Sequence, residues 1–182
     1  MKLNKVSIVF FSNTDITAKL VQSAADEFRQ KKIETFVYSI QGSDIVDGRF
    51  KNIGMFKDLH ESEAIIFASP TYMGGVAAQF KAFADATSDF WLEQKWAGKY
   101  AAGITCGSAP NGDQSSTLQY LATLASQHGM FWVGIDVAHN NSDPTINRLG
   151  SQLGVIAHSE NGEVSAMDSN TARYLASRIT KI

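Results

Sequence analysis

Three short stretches carry residue types that can do chemistry. In "SNTDIT", Ser12 to Thr17, three hydroxyls and one amide side chain stand at the expected start of a helix. Unpaired N–H groups there attract an anion, and a phosphate monoester suits the cradle. Plain capping by Asn13 or Thr14 is the alternative. In "SPTYMGG", residues 69–75, Pro70 fixes one torsion and biases Ser69 to an extended shape, while Gly74 and Gly75 permit close approach. Tyr72 and Met73 are then presented on a rigid turn, suited to stacking on a planar ring. In "CGSAPNGDQ", residues 106–114, another glycine-containing loop is rich in backbone donors. Singly, each is a turn. Together, at adjacent strand ends, they describe a slot with a phosphate in the first loop and a flat ring between the other two.

The elements that must position these loops are legible as apolar runs. "VSIVFF" (6–11), "ETFVYSI" (34–40), "AIIFASP" (64–70), "YAAGITC" (100–106) and "MFWVGI" (130–135) are strand-length and rich in β-branched or aromatic residues. Most are nearly continuous, as in strands covered on both faces. Between them, helical spacing predicts helices over 16–30, 76–91, 114–128 and 168–180, with a weaker one over 52–61. Gly129 is placed as a left-handed stop. The alternation implies a parallel sheet with right-handed crossovers and strand order 2-1-3-4-5 in a single domain over 1–182. Ligands of such sheets bind outside the carboxyl ends of the strands, where the chain order reverses, and that rule selects the three loops.

The totals exclude several classes. Sixteen Lys and Arg against 18 Asp and Glu leave a net charge of −2, which recommends no nucleic acid partner. The single cysteine, Cys106, forbids an internal disulfide. Ser12 to Asp15 interrupt the N-terminal apolar run too early for a signal peptide, and no stretch is long enough to span a bilayer, so a cytoplasmic protein without membrane partners is expected. There is no Walker lysine and no G-x-G-x-x-G, so triphosphate and dinucleotide fingerprints both fail. Strand 1 lacks terminal acidic residues and strand 3 ends in Ser-Pro, which argues against a phosphoacceptor receiver domain. His60, His139 and His158 have no ligand spacing, and no metal site is expected.

The blocks "AIIFASPTYMGG", "FKAFADATSDFW", "GK" at 98–99, the 105–112 loop, "TLASQHGM" (123–130), "RLGSQLGV" (148–155) and "ARYLA" (172–176) resemble, in order and along most of the chain, the flavodoxin superfamily and within it the WrbA-type NAD(P)H:quinone oxidoreductases. The resemblance implies an α/β, flavodoxin-like three-layer sandwich with helices on both faces and a non-covalently bound FMN. Its phosphate loop falls on Ser12, Asn13, Thr14, Asp15, Ile16 and Thr17. Its ring-contacting turn falls on Pro70, Thr71, Tyr72, Met73, Gly74 and Gly75. The strand-4 loop falls on Thr105, Cys106, Gly107, Ser108, Ala109, Asn111 and Gly112. A histidine at the ring's edge falls on His128, and an aromatic roofing the substrate pocket falls on Trp91.

The activity that the resemblance implies is two-electron reduction of a quinone by NADH or NADPH, the two substrates using one face in turn. His128 is expected to donate a proton or hydrogen bond to the quinone oxygen. Trp91 and Trp96 are expected to cover the open face, partly from a neighbouring subunit of a homodimer or homotetramer. Taken without the resemblance, His128 reads as a helix-ending histidine, Trp91 as core, and Cys106 as a small packing residue. A one-electron carrier and an interaction protein without turnover are the alternatives. Asp15 stands where the family usually has glycine, and its carboxylate is expected to oppose a phosphate dianion. The family's aromatic at position 14 is a threonine, and the segment between strands 2 and 3 is shorter than usual.

Overall fold

The computed structural model describes residues 3–139, 143–159 and 161–182. Parallel strands β1 (Lys5–Phe10), β2 (Glu34–Ser39), β3 (Ala64–Tyr72) and β4 (Tyr100–Gly107) lie in the order β2-β1-β3-β4. The far edge of β4 is completed by two pieces, β5 (Phe131–Trp132) and β6 (Val155–His158), both parallel to it. This is the expected 2-1-3-4-5 order of a flavodoxin-like α/β sandwich.

Alternation along the strands sends successive side chains to opposite faces. Ile66 and Ala68 join one core with α1 (Ile16–Gln30) and α5 (Ala166–Ile179). Ile65 and Phe67 join the other with α2 (Phe56–Glu61), α3 (Ala78–Ala86) and α4 (Gln114–Gln127). The second core is aromatic: Phe56, Phe80, Phe83, Phe90 and Trp96 make edge-on, stacked or tilted contacts with centroids 5.0–5.7 Å apart. Such pairs add about 0.5–1.5 kcal/mol each beyond area burial. Phe50, from the short hairpin Ile45–Val46/Arg49–Phe50, packs on Phe83 and brings that hairpin against α3.

Three expectations are corrected. The apolar run 130–135 is not one strand: after Trp132 the chain leaves the edge, and β6 resumes it at Val155. Val133 N still donates to Ala101 O at 2.7 Å, but Ile135 N donates to Gln152 O at 2.7 Å, within the excursion itself. The returning strand closes on β4 because residue 154 is glycine; a Cβ there would lie 2.6 Å from the Gly103 carbonyl oxygen. The predicted helix 76–91 is shorter, ending at Ala86 and tightening to a 3-10 turn over Thr87–Phe90. Thr87 draws that turn in, its hydroxyl donating to Ala84 O at 2.7 Å. Neither Asn13 nor Thr14 caps α1; the cap position is Asp15, and Ser12 Oγ accepts from Ala18 N at 3.2 Å. Gly129 does end α4 in the left-handed region, at φ 66°.

Candidate functional site

The turn after β3 is a two-residue hairpin. Thr71 pairs with Val76 and Tyr72 with Gly75, and the two residues between, Met73 and Gly74, have φ 49° and 75°. Positive φ at both central positions is the twist-compatible hairpin geometry. Met73 is sterically strained there, and its side chain stands wholly in solvent. Beneath the hairpin lies a directed chain of hydroxyls, with Thr105 and Thr117 buried and Thr71 half-buried. Thr105 donates to Ser69 O at 2.8 Å, so its oxygen accepts from Thr71 at 2.8 Å, and Thr71 in turn accepts from Thr117 of α4 at 2.8 Å. Ser69 Oγ accepts from Ala77 N at 2.9 Å. These bonds weld the ends of β3 and β4 to the start of α4, and they place Thr105 under the slot as its support.

At the first loop the amides of Asn13, Thr14, Asp15 and Ile16 have no hydrogen-bond partner among the described residues. They stand at the positive end of a 15-residue helix. Asp15 has φ 62°, the left-handed region that glycine enters freely and aspartate tolerates best among side-chain-bearing residues, together with asparagine. Its side chain caps nothing. Thr17, the second residue of α1, bonds the Cys106 thiol at 3.2 Å. Burial pushes that thiol's pKa up, so Cys106 is a neutral wall of the slot and no nucleophile.

The third loop is held by a residue that sequence reasoning passed over. Gln114, buried at the start of α4, donates through Nε2 to Ala109 O and accepts at Oε1 from Gly112 N, both at 2.7 Å. Its amide lies where a Cβ on Gly107 would come within 2.5 Å. Asp113 opens α4 as Asp15 opens α1, left-handed at φ 58° and without a side-chain cap.

Between these loops runs a cavity of about 290 Å³ lined by Thr14, Ile16, Pro70, Thr71, Tyr72, Cys106, Gly107 and Ser108. A second, of about 560 Å³, continues it past Met73, Gly74, Ala109 and Gly112. Twelve of the expected cofactor residues are thus brought together. Ser12, Asn13, Asp15, Thr17, Gly75, Thr105 and Asn111 support or flank the cleft without lining it. Four lining residues were missed: Ser159 and Gly162, on the segment that follows β6, and Asp113 and Ser116, at the start of α4. Ser159 Oγ is buried with no partner among the described residues, an orphan that a polar ligand would satisfy. The signal was the short apolar run "GVIAH" that begins at Gly154.

His128 and Trp91 lie elsewhere. They line a separate cavity of about 450 Å³ with Arg49, Asp85, Thr87 and Ser88. The cleft meets the first residues of α4 and His128 follows its last, so the 14-residue helix separates them by about 20 Å. His128 is 1% exposed, packed 4.7 Å from the ring of Trp96, and its Nε2 lies 2.8 Å from Thr87 Oγ1. Burial lowers its pKa to about 4, so the ring is neutral at pH 7. Trp96 cannot serve as a cover: it is fully buried and donates through Nε1 to His60 Nδ1 at 3.0 Å. Trp91, half-exposed, remains available. Among the described residues, no helix is long and apolar enough to cross a membrane.

With this geometry in place, comparison with known proteins is specific. A profile of the NADPH-dependent FMN reductase family matches residues 8–143, which takes in all three loops. "Flavodoxin FldP" of Pseudomonas aeruginosa is 31% identical over 188 residues, covering 99% of this chain and 97% of its own. The NAD(P)H dehydrogenase (quinone) of Archaeoglobus fulgidus is 28% identical over 192 residues, covering 98% and 96%. The crystal structure of a flavodoxin, WrbA-like protein from Agrobacterium tumefaciens superposes with a TM-score of 0.77 at 31% identity, over 98% of this chain and 96% of that one. The chain belongs to the NADPH-dependent FMN reductase family and is a flavodoxin-like, WrbA-type flavoprotein oxidoreductase.

Proposed function

We propose that the protein binds FMN in the cleft at the ends of β1, β3 and β4 and uses NADH or NADPH to reduce quinones by two electrons. The observation that carries this reading is the set of unengaged amides over residues 13–16 beside a slot walled by the orphaned Ser159 hydroxyl. Relatives named NAD(P)H dehydrogenase (quinone) support the acceptor class. FMN would supply the hydride chemistry. The chain's own residues do the rest. The amides of 13–16 and the α1 dipole hold a phosphate. The hairpin at Tyr72–Gly75 and the hydroxyl chain beneath it keep one wall of the slot rigid. The backbone donors of 107–112 favour negative charge in the slot without reorganising. One open face serves both substrates in turn, so double-reciprocal plots at several quinone concentrations should be parallel.

Isothermal titration with FMN, FAD and riboflavin tests the site itself. FMN should bind at least tenfold more tightly than riboflavin; equal affinities would remove the role of the first loop. Asp15→Asn keeps a side chain suited to the left-handed backbone while deleting the charge, and should tighten FMN binding roughly fivefold in low salt, with the gain shrinking as salt is added. An unchanged affinity would show that Asp15 points away from the phosphate.

The distance along α4 means that His128 and Trp91 reach the open face of a flavin only from a second copy. A dimer with shared pockets is therefore part of the proposal. Dilution below its dissociation constant should cut quinone reductase activity more than FMN occupancy, and Trp91→Ala should raise the quinone KM. A monomer with full turnover would sink that arrangement. The resemblance to a protein named flavodoxin keeps one alternative, an electron carrier. A carrier would show no quinone-dependent oxidation of NADH or NADPH.

A further inference from the structure

Asp113 serves none of the uses that an aspartate has at the start of a helix. It opens α4 with φ 58°, in the left-handed region, and its side chain caps no amide there. Its exposed carboxylate has no hydrogen-bond or ion-pair partner among the described residues. A side-chain-bearing residue is disfavoured in that backbone, and the local bond by which aspartate ordinarily compensates is not made. What Asp113 does supply is a fixed negative charge. It stands on the wall of the larger cavity, between the hairpin and the third loop, with Met73, Gly74, Ser108 and Ser116.

No cation answers that charge from the cleft walls. The segments that supply them, residues 6–18, 62–80, 100–124 and 149–172, contain no lysine or arginine. Lys19, the first cation after the first loop, has its Nζ 3.4 Å from the Gly162 carbonyl oxygen. Arg148 is occupied with both oxygens of Asp168. The backbone donors of 107–112 act only at hydrogen-bond contact, within the slot. The full charge of Asp113 acts over a longer range, on groups that project from it.

We propose that Asp113 is a specificity-determining residue that selects the hydride donor by charge, so that NADH is used in preference to NADPH. The inference rests on the reading of the cleft as an FMN site and names the donor within it; it departs from the donor in the family's description. The 2′-phosphate of NADPH adds about two negative charges to an otherwise identical molecule. Sites that accept it ordinarily meet it with an arginine, and these walls have none. One carboxylate about 9 Å from such a dianion in a water-like medium weakens binding roughly fivefold. Because Asp113 is exposed, salt screens the effect.

The test uses the full chain with FMN added. At about 10 mM salt, kcat/KM for NADH should exceed that for NADPH roughly fivefold, and the ratio should fall below about twofold at about 0.5 M. Asp113→Asn, which suits the same backbone, and Asp113→Gly, which relaxes it, should each bring the low-salt ratio below about twofold. A merely structural role for Asp113 would change both donors together and leave their ratio where it was. Calorimetry with ADP-ribose and its 2′-phosphate makes the same comparison without turnover: ADP-ribose should bind roughly fivefold more tightly to the wild-type chain at low salt. A chain that oxidises neither donor would refute the proposed function, and the two fragments would then still decide the role of Asp113. The proposal is overturned if NADPH serves as well as NADH at low salt, if either variant leaves the ratio unmoved, or if the wild-type chain binds the fragments alike or not at all. The fragments keep it decidable should a variant fail to fold.

Discussion

Replacing Arg148 with alanine is expected to cost about 3 kcal/mol of stability, the low end of the range for breaking a buried ion pair by removing one partner. Arg148 binds both oxygens of Asp168, through Nε and Nη2, each at 2.7 Å, and the Asp168 side chain is 2% exposed. Truncation leaves that carboxylate buried without its cation. It keeps some compensation, because Asp168 lies in the first turn of α5 and accepts weakly from His158 N at 3.4 Å, which is why the low end applies. Arg148 Nη2 also donates to His158 O at 3.1 Å, so the same change loosens the segment carrying Ser159 and Gly162. The measurement is a urea midpoint and melting temperature for Arg148→Ala beside the double variant Arg148→Met/Asp168→Leu. The single change should lower the melting temperature by several degrees, and the double should recover most of the loss. A single-variant loss below about 1 kcal/mol would mean that the pair is solvated and contributes as a surface bridge does.

Stability should also fall as pH drops from 6.5 toward 4, by about 3 kcal/mol, on account of His128. Burial depresses its folded-state pKa from the ordinary 6.5 to about 4. Across that window the unfolded chain binds a proton that the folded one refuses, so acid favours unfolding. His60, also lowered chiefly by burial, acts in the same direction. Glu63 and Asp136 are depressed carboxylates, and their stabilisation is lost only as pH falls further, below the ordinary carboxylate range. The interval from pH 6.5 to 5 therefore isolates the histidines. Urea unfolding at half-unit steps gives the slope, and His128→Gln should remove most of it. A flat profile over that interval would place His128 in contact with water.

The order of the sheet was readable because strands covered on both sides read as continuous apolar runs, as "AIIFASP" does. The edge was not readable in the same way. Val133, Ile135 and Val137 are as buried as strand residues, yet they pack the core from an irregular excursion, and apolar content does not distinguish the two. Missing the return at Val155 meant missing Ser159. The first and third loops were found from hydroxyls and glycines, but Asp15 and Asp113 hide left-handed positions behind a side chain that usually signals an ordinary cap. Trp91 and Trp96, five residues apart beyond a shortened helix, read alike in one dimension; the 3-10 turn sends one to the surface and the other to the bottom of the aromatic core.

The two-piece edge has a consequence for how the molecule breathes. β5 offers two residues and β6 four to a single neighbour, β4, so these short ladders belong to the segments that open most easily and exchange their amide protons first. Ser159 follows β6 directly and is tethered to the Gly107 carbonyl at 3.1 Å. A molecule seated between Gly107 and Ser159 binds the closed edge and not the open one, and so draws the local equilibrium toward closure by mass action. Deuterium uptake over 155–159 is then a thermometer of occupancy: protection there should rise with ligand concentration, while the centre of the sheet, already slow, stays unchanged.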